Sequence, residues 1–365
     1  MLTSERGPRI RSVGRALPAH YVDRESLLAA LMDIWRAEAP GPAAASRAGV
    51  ARAPSMHRSI GVDGRYLALP LASYATKRSF AERNDAWIEH ALPLAERAAS
   101  DALEKAGLGP RDVRHVFFVT VTGIATPSID ARLVNRLGLR PDVKRTPIFG
   151  LGCVAGAAGT ARAADYLAAF PDETALLVAV ELCSLTFQAD DASIPNVLAS
   201  GLFGDGAAAV VLSGAARTEG KGPRILATRS VFYPGTEDAM GWEIVDGGFK
   251  IVLSASVPRL ARERLRDDVD SFLAEHELDR SRVSHWVAHT GGPKVLEAFE
   301  EALELPAGAL ARSWSSLRRF GNLSSASVLF VMDDLLSSGA AKPGDYGVML
   351  AMGPGFCSEL VLFRW

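Results

Sequence analysis

The strongest constraint on what this chain can fold into is that it resembles itself. "RDVRHVFFVTVTG" and "SRVSHWVAHTGG" each set a basic residue, a valine and a histidine before a strand that ends in glycine. "FGLGCVAGAAG" matches "RFGNLSSAS", each a glycine turn opening a helix, and "ALLVAVE" matches "YGVMLAMG", each a strand. His285 follows His115 by 170 positions and Asn322 follows Cys153 by 169. A near-constant offset over three elements means two duplicated halves. The polar, glycine-rich "ARTEGKGPR" (216–224) is the join. It divides the chain into an N-terminal half, 1–220, carrying the cysteine, and a C-terminal half, 221–365. Halves packed face to face bring equivalent helix starts together, so Cys153 and Asn322 are expected to be neighbours.

The local pattern specifies the content of each half. "VRHVFFVTVTG" (113–123), "TALLVAVEL" (174–182) and "GAAAVVLSG" (206–214) read as buried strands. "WIEHALPLAERAASDALEKAGL" (87–108) carries apolar residues at three- and four-residue spacing with a glycine stop, and "IDARLVNRLGL" (129–139) reads as a shorter helix. This alternation predicts α/β architecture. Residues 36–57, rich in alanine and proline, read as a mobile surface segment.

Composition narrows the function. A net charge of -2 and a pI near 6.4 give no support for a nucleic-acid partner or an anionic membrane surface. No long apolar run or signal sequence is present, so the expected setting is the cytoplasm, with no membrane partner. Three cysteines, Cys153, Cys183 and Cys357, form no CxxC pair, which argues against a disulfide framework or a metal site.

Cys153 stands at the start of a helix, where unpaired N–H groups and the helix dipole favour an anion and are expected to lower the thiol pKa. Glycines and alanines around it leave room for a bulky substrate, so the residue reads as a nucleophile that forms a thioester. Its partner is expected among the histidines, of which His289 ends a strand and precedes Gly291, Gly292 and Pro293. Asn322 follows a glycine at a helix start, the position of a plain N-cap as well as of a site donor. A thiolate, an imidazole and an amide together suit acyl transfer with stabilisation of an oxyanion or enolate. "GLGCVAG" has the wrong glycine spacing for a dinucleotide loop, and "LFGDGAAAVVLSG" lacks the lysine of a phosphate loop.

"GLGCVAGAAG", "HTGGPKVLEA", "FGNLSSASVLFVMDDL" and "GPGFCSE" resemble, in order and over nearly the whole chain, the thiolase-fold condensing enzymes, specifically bacterial type III polyketide synthases. The resemblance implies a thiolase-like fold: two α/β halves in a five-layered αβαβα arrangement. It implies an acyltransferase with no permanently bound cofactor, acting on coenzyme A thioesters: an acyl-CoA starter loaded on Cys153, then extended by repeated decarboxylative condensation with malonyl-CoA. His289 and Asn322 would stabilise the thioester carbonyl of malonyl-CoA as CO2 leaves, and cyclisation would give a pyrone, a resorcinol or a related phenol. An initiating ketoacyl synthase, which condenses once, is opposed by "HTGGP". A thioester hydrolase is the reading from another class.

The same resemblance assigns a cavity. Phe203 corresponds to an aromatic gate, and Ile251, or Phe249 two residues earlier, to its companion. Cys183, Thr186, Ser324 and Met352 correspond to cavity walls, with Ala351–Met352 standing where Gly-Phe is usual. Arg58, Arg65 and Lys294 are the cations expected at a coenzyme A tunnel mouth. Thr126 belongs to a loop that crosses into a partner subunit, which implies a homodimer.

Overall fold

In Thr174–Leu182 all nine residues are buried, which requires cover on both faces of the strand. A computed structural model, describing residues 7–38 and 48–365, supplies that cover. Thirteen strands run in chain order: β1 (Arg9–Ala16), β2 (His20–Asp23), β3 (Gly64–Leu67), β4 (His115–Thr120), β5 (Lys144–Phe149), β6 (Thr174–Leu182), β7 (Asp205–Ser213), β8 (Arg224–Phe232), β9 (Met240–Val245), β10 (Gly248–Leu253), β11 (Val283–Ala288), β12 (Tyr346–Gly353) and β13 (Cys357–Arg364). The helices are α1 (Arg24–Glu38), α2 (Ala48–Ile60), α3 (Phe80–Ala106), α4 (Ile129–Leu137), α5 (Ala155–Ala169), α6 (Ile194–Leu202), α7 (Val257–Ala274), α8 (Pro293–Leu303), α9 (Ala311–Phe320) and α10 (Ser327–Ser338).

Nine strands follow the order β11-β12-β13-β8-β1-β7-β6-β4-β5. The duplication is visible in this order. Strand β4 pairs parallel with β6 and β6 antiparallel with β7; β11 pairs parallel with β12 and β12 antiparallel with β13. The two sets of strands join through β1 and β8, where the registered pair is Arg9 with Arg224.

Alternation along the strands then defines the layers. Leu177 and Ala179 of β6 pack inward on α5 and α10, while Leu176, Val178 and Val180 pack outward on α3. In the other half, Met349 and Ala351 of β12 face the same central helices, and Val348, Leu350 and Met352 face α7 and α8. The result is helices, sheet, central helices, sheet, helices: the five-layered thiolase-like arrangement.

The central layer explains the small residues after Cys153. A Cβ on Gly156 of α5 would stand 2.2 Å from the Ser325 carbonyl oxygen, and one on Gly159 would stand 2.7 Å from Leu177 Cδ1. Only glycine allows α5 to approach the other half and its own sheet so closely.

The reading of 36–57 as a surface segment is corrected where the structure describes it. Residues 48–60 form α2, and Val50, Ala53, His57 and Ile60 are buried, because this helix packs its apolar side on α6. Residues 39–47 lie outside the described residues.

Candidate active site

Cys153 sits in a 3-10 turn, Gly152–Val154, that leads directly into α5. Gly152 has φ +55, and a Cβ there would meet the Pro354 ring at 2.9 Å, so the turn is pressed against the 353–356 loop. Asn322 enters from the other half, after Gly321 at φ +74. Its Oδ1 accepts from the Ser324 backbone N–H at 2.8 Å and from Ser327 Oγ at 3.4 Å. With the oxygen so engaged, Nδ2 is turned to Cys153 Sγ, 3.9 Å away. The thiol itself donates to Ser324 Oγ at 3.8 Å. The expected proximity of the two repeat-related positions is thus present, and the Asn322 side chain engages its own turn and the Cys153 thiol at once.

His289 lies just past β11, its backbone N–H donating to the Leu350 carbonyl at 2.8 Å. Its ring is buried, and neither ring nitrogen has a hydrogen-bond partner among the described residues. His289, Asn322 and Met352 line one small cavity of about 290 Å³, together with Gly291, Val295 and Phe356.

The electrostatics overturn one expectation. Burial pushes the Cys153 thiol up to about 11; hydrogen bonds with Ser324 and Asn322 oppose the rise, while Glu181 adds to it. Desolvation outweighs the helix start. Burial likewise lowers His289 to about 3. Burial therefore disfavours the charged form of each group, the thiolate of Cys153 and the imidazolium of His289.

Glu181 was not singled out in the sequence, although a lone carboxylate closing the apolar run "ALLVAVEL" is a signal. It is fully buried; its carboxylate accepts from Ser325 Oγ at 2.5 Å, Thr122 Oγ1 at 2.9 Å and the Val121 N–H at 3.1 Å. Burial still raises it to about 7 against these bonds.

A larger pocket, about 620 Å³ of empty volume, holds four of the expected cavity residues: Phe203, Ile251, Cys183 and Thr186 all line it. Phe249 does not; it packs against Phe80, Phe149 and Trp242, which leaves Ile251 as the residue facing Phe203. Sequence reasoning missed Trp242 and the α1 residues Leu27, Leu31 and Ile34 on the same walls, because nothing local marks α1 as reaching this pocket. Thr126 is exposed on the loop between β4 and α4.

Of the three expected coenzyme A cations, Arg58 and Lys294 are exposed on α2 and α8. Arg65 is corrected. It is only 1% exposed, and its guanidinium is engaged with backbone carbonyls at the end of α6, so it presents no charge at a surface.

Two duplicated halves, with a buried thiol at one central helix start and an amide at the other, define a thiolase-like condensing-enzyme fold. Comparison with known proteins places the chain within that class. Residues 4–216 match the family "Chalcone and stilbene synthases, N-terminal domain", and residues 224–365 match the corresponding C-terminal domain. A 1,3,6,8-tetrahydroxynaphthalene synthase of Streptomyces peucetius subsp. caesius is 48% identical over 363 residues, covering 99% of this chain and 94% of that protein. A phloroglucinol synthase of Pseudomonas fluorescens is 32% identical, covering 95% and 96% respectively. The crystal structure of 1,3,6,8-tetrahydroxynaphthalene synthase from Streptomyces coelicolor superposes with a TM-score of 0.90 at 30% identity, over 98% of this chain and 99% of that one. The chain belongs to the chalcone and stilbene synthase family and is a type III polyketide synthase, an acyltransferase. Among the described residues, no helix is long and apolar enough to cross a membrane.

Proposed function

We propose that the enzyme loads an acyl group from coenzyme A onto Cys153, extends it with several malonyl units and releases a small polyhydroxylated aromatic. The observation that carries this reading is the meeting of Cys153 Sγ and Asn322 Nδ2 across the two halves, 3.9 Å apart.

The chemistry follows from the groups present. Cys153 passes its proton to His289, forming an ion pair that burial penalises less than either charge alone. The thiolate attacks the starter thioester, and coenzyme A leaves as its thiol. When malonyl-CoA occupies the site, the bond to its carboxylate carbon breaks and CO2 departs. The electron pair moves into the thioester, and the resulting enolate oxygen is held by the His289 ring N–H and by Asn322 Nδ2. The enolate carbon then attacks the acyl group on Cys153: a carbon–carbon bond forms, the carbon–sulfur bond breaks and the thiolate returns. Transfer of the product back to Cys153 permits another round.

The pocket bounded by Phe203, Ile251 and Trp242 holds the growing chain. The two relatives described above, a tetrahydroxynaphthalene synthase and a phloroglucinol synthase, favour a compact phenol or naphthol over a long-chain product. Arg58 and Lys294 engage the phosphates of coenzyme A. We divide the chain functionally at residues 220 and 221. A second copy of the chain is the proposed partner: β5 is a terminal strand of the sheet order, and Phe149 at its end and Ile124 in the loop after β4 are 53% and 48% exposed. The enzyme acts in the cytoplasm on soluble coenzyme A thioesters.

The decisive experiment offers purified protein malonyl-CoA alone and malonyl-CoA with a panel of acyl-CoA starters, with products read by mass spectrometry. Aromatic products containing several malonyl units are expected. Free acid and coenzyme A alone would instead identify a thioester hydrolase. Cys153→Ala should abolish condensation yet release CO2 from malonyl-CoA, and polyketide formation by that variant would refute the assignment.

A further inference from the structure

Arg65 does none of the work expected of it at a surface, and its position suggests another role. It lies on β3, among the largest fully buried side chains. Nη1 donates to the Ser200 carbonyl at 2.7 Å and to the Phe203 carbonyl at 3.2 Å, and Nη2 donates to the Gly201 carbonyl at 2.6 Å. These carbonyls belong to the last turn of α6 and the residue after it, where a helix leaves its oxygens without internal partners. A guanidinium there meets the negative end of the helix dipole and satisfies three acceptors from one rigid plane.

That turn is fastened to the catalytic amide. Phe203 forms a parallel bridge with Asn322: the Gly204 N–H donates to the Asn322 carbonyl at 3.0 Å, and the Asn322 N–H donates to the Leu202 carbonyl at 2.9 Å. The packing leaves no slack. A Cβ on Gly204 would stand 2.5 Å from the Phe320 carbonyl and 3.3 Å from Arg65 Cβ, and one on Gly321 would stand 2.5 Å from the Leu202 carbonyl. The backbone of Asn322 is therefore set by residues 202–204 of the other half, and those residues are set by Arg65.

A counter-ion role for Arg65 explains less. Burial disfavours the Arg65 charge, and Asp205 is the acid that supports it electrostatically. Yet no ion pair of Arg65 is found among the described residues, and the Asp205 carboxylate is already occupied by the Ala68 N–H, the Ser184 N–H and Ser184 Oγ. The direct bonds of Arg65 go to the α6 carbonyls.

We propose that Arg65 is a positioning residue for the condensation site: by clamping the end of α6 it fixes the Phe203 wall and, through the Phe203–Asn322 bridge, aims the Asn322 amide at the substrate. The proposal rests on the reading of Asn322 as the donor to the malonyl thioester. Displacing such a donor by about 1 Å can cost about 10²-fold in rate without weakening binding equally.

The test is a double-mutant cycle read by CO2 release from malonyl-CoA. Arg65→Lys keeps the charge, with its donors on a single nitrogen, but loses the planar fork. Arg65→Gln is made in parallel, and whichever variant retains wild-type far-ultraviolet circular dichroism is carried forward. Expected is a fall in kcat of about tenfold or more with KM for malonyl-CoA changed less than about threefold. In an Asn322→Ala background the Arg65 substitution should cost nothing further, because the donor it aims is gone. An additive loss in that background, or an unchanged kcat in the folded variant, overturns the positioning role. Full decarboxylation by Asn322→Ala alone overturns the functional reading of Asn322 and the proposal with it. Failure of both Arg65 variants to fold, while Asn322→Ala folds, makes Arg65 a purely structural residue and equally overturns the proposal.

Discussion

Asn322 holds the backbone N–H of Ser324 with its carbonyl oxygen, at 2.8 Å, and by doing so presents its amide nitrogen to Cys153. The two ends of one side chain are thereby assigned separate tasks. Asn322→Ala should lower decarboxylation and condensation together by about 10²- to 10³-fold, the range for loss of one oxyanion donor. Asn322→Asp, nearly isosteric, should do no better, because it replaces the donor with an acceptor. Steady-state CO2 release from malonyl-CoA reads both variants, and retention of activity by the aspartate form would count against a donor role.

Glu181 should leave a mark on the pH dependence of stability. Burial raises its folded-state pKa from the ordinary 4.5 to about 7. The folded chain keeps this proton after the unfolded chain has lost it, so stability falls as pH rises through that window and is level on either side. The shift corresponds to a change on the order of 3 kcal/mol. Urea denaturation at intervals from about pH 4 to pH 8 should show a shallower decline for Glu181→Gln than for the wild type. Parallel curves would mean that Glu181 does not titrate there.

Gly156→Ala introduces a methyl group 2.2 Å from the Ser325 carbonyl oxygen. Because Ser325 also donates to Glu181, the strain falls on the contact between halves as well as on the helix. A loss of about 1–3 kcal/mol is expected from overpacking, against the small gain that alanine brings to an open helix site. Chemical denaturation measures it, and an unchanged midpoint would show that the central layer yields freely.

Ile251→Phe should narrow the pocket that Ile251 and Phe203 share. The expected result is selective: kcat/KM for long acyl-CoA starters falls about tenfold further than for acetyl-CoA, as when a few methylenes lose their space. Equal losses for both starters would place Ile251 away from the chain-length boundary.

Much of this site was legible in the sequence because duplication ties distant residues together. The offset between Cys153 and Asn322 turned a tertiary contact into an inference from spacing. Elements whose sides are wholly apolar, such as β6, were equally readable. What escaped detection depends on partners that no local pattern names. Arg65 looks like any basic residue before an aromatic until the α6 carbonyls are seen around it. The thiol of Cys153 was expected to be lowered by its helix start, yet the depth of burial, a property of all five layers, decides its direction. The hairpin of β9 and β10 and the reach of α1 were also unread, since their importance lies in the pocket they enclose.

The join between β1 and β8 has a further consequence for how the enzyme comes into being. Cys153 is translated long before His289 and Asn322, and the first half by itself holds a thiol with no amide opposite it. On the proposed roles, a ribosome-bound or prematurely terminated chain lacks both groups that stabilise the enolate. Consumption of malonyl-CoA is thus withheld until the segment carrying His289 and Asn322 has been made and docked, so that turnover itself reports that the two halves have met.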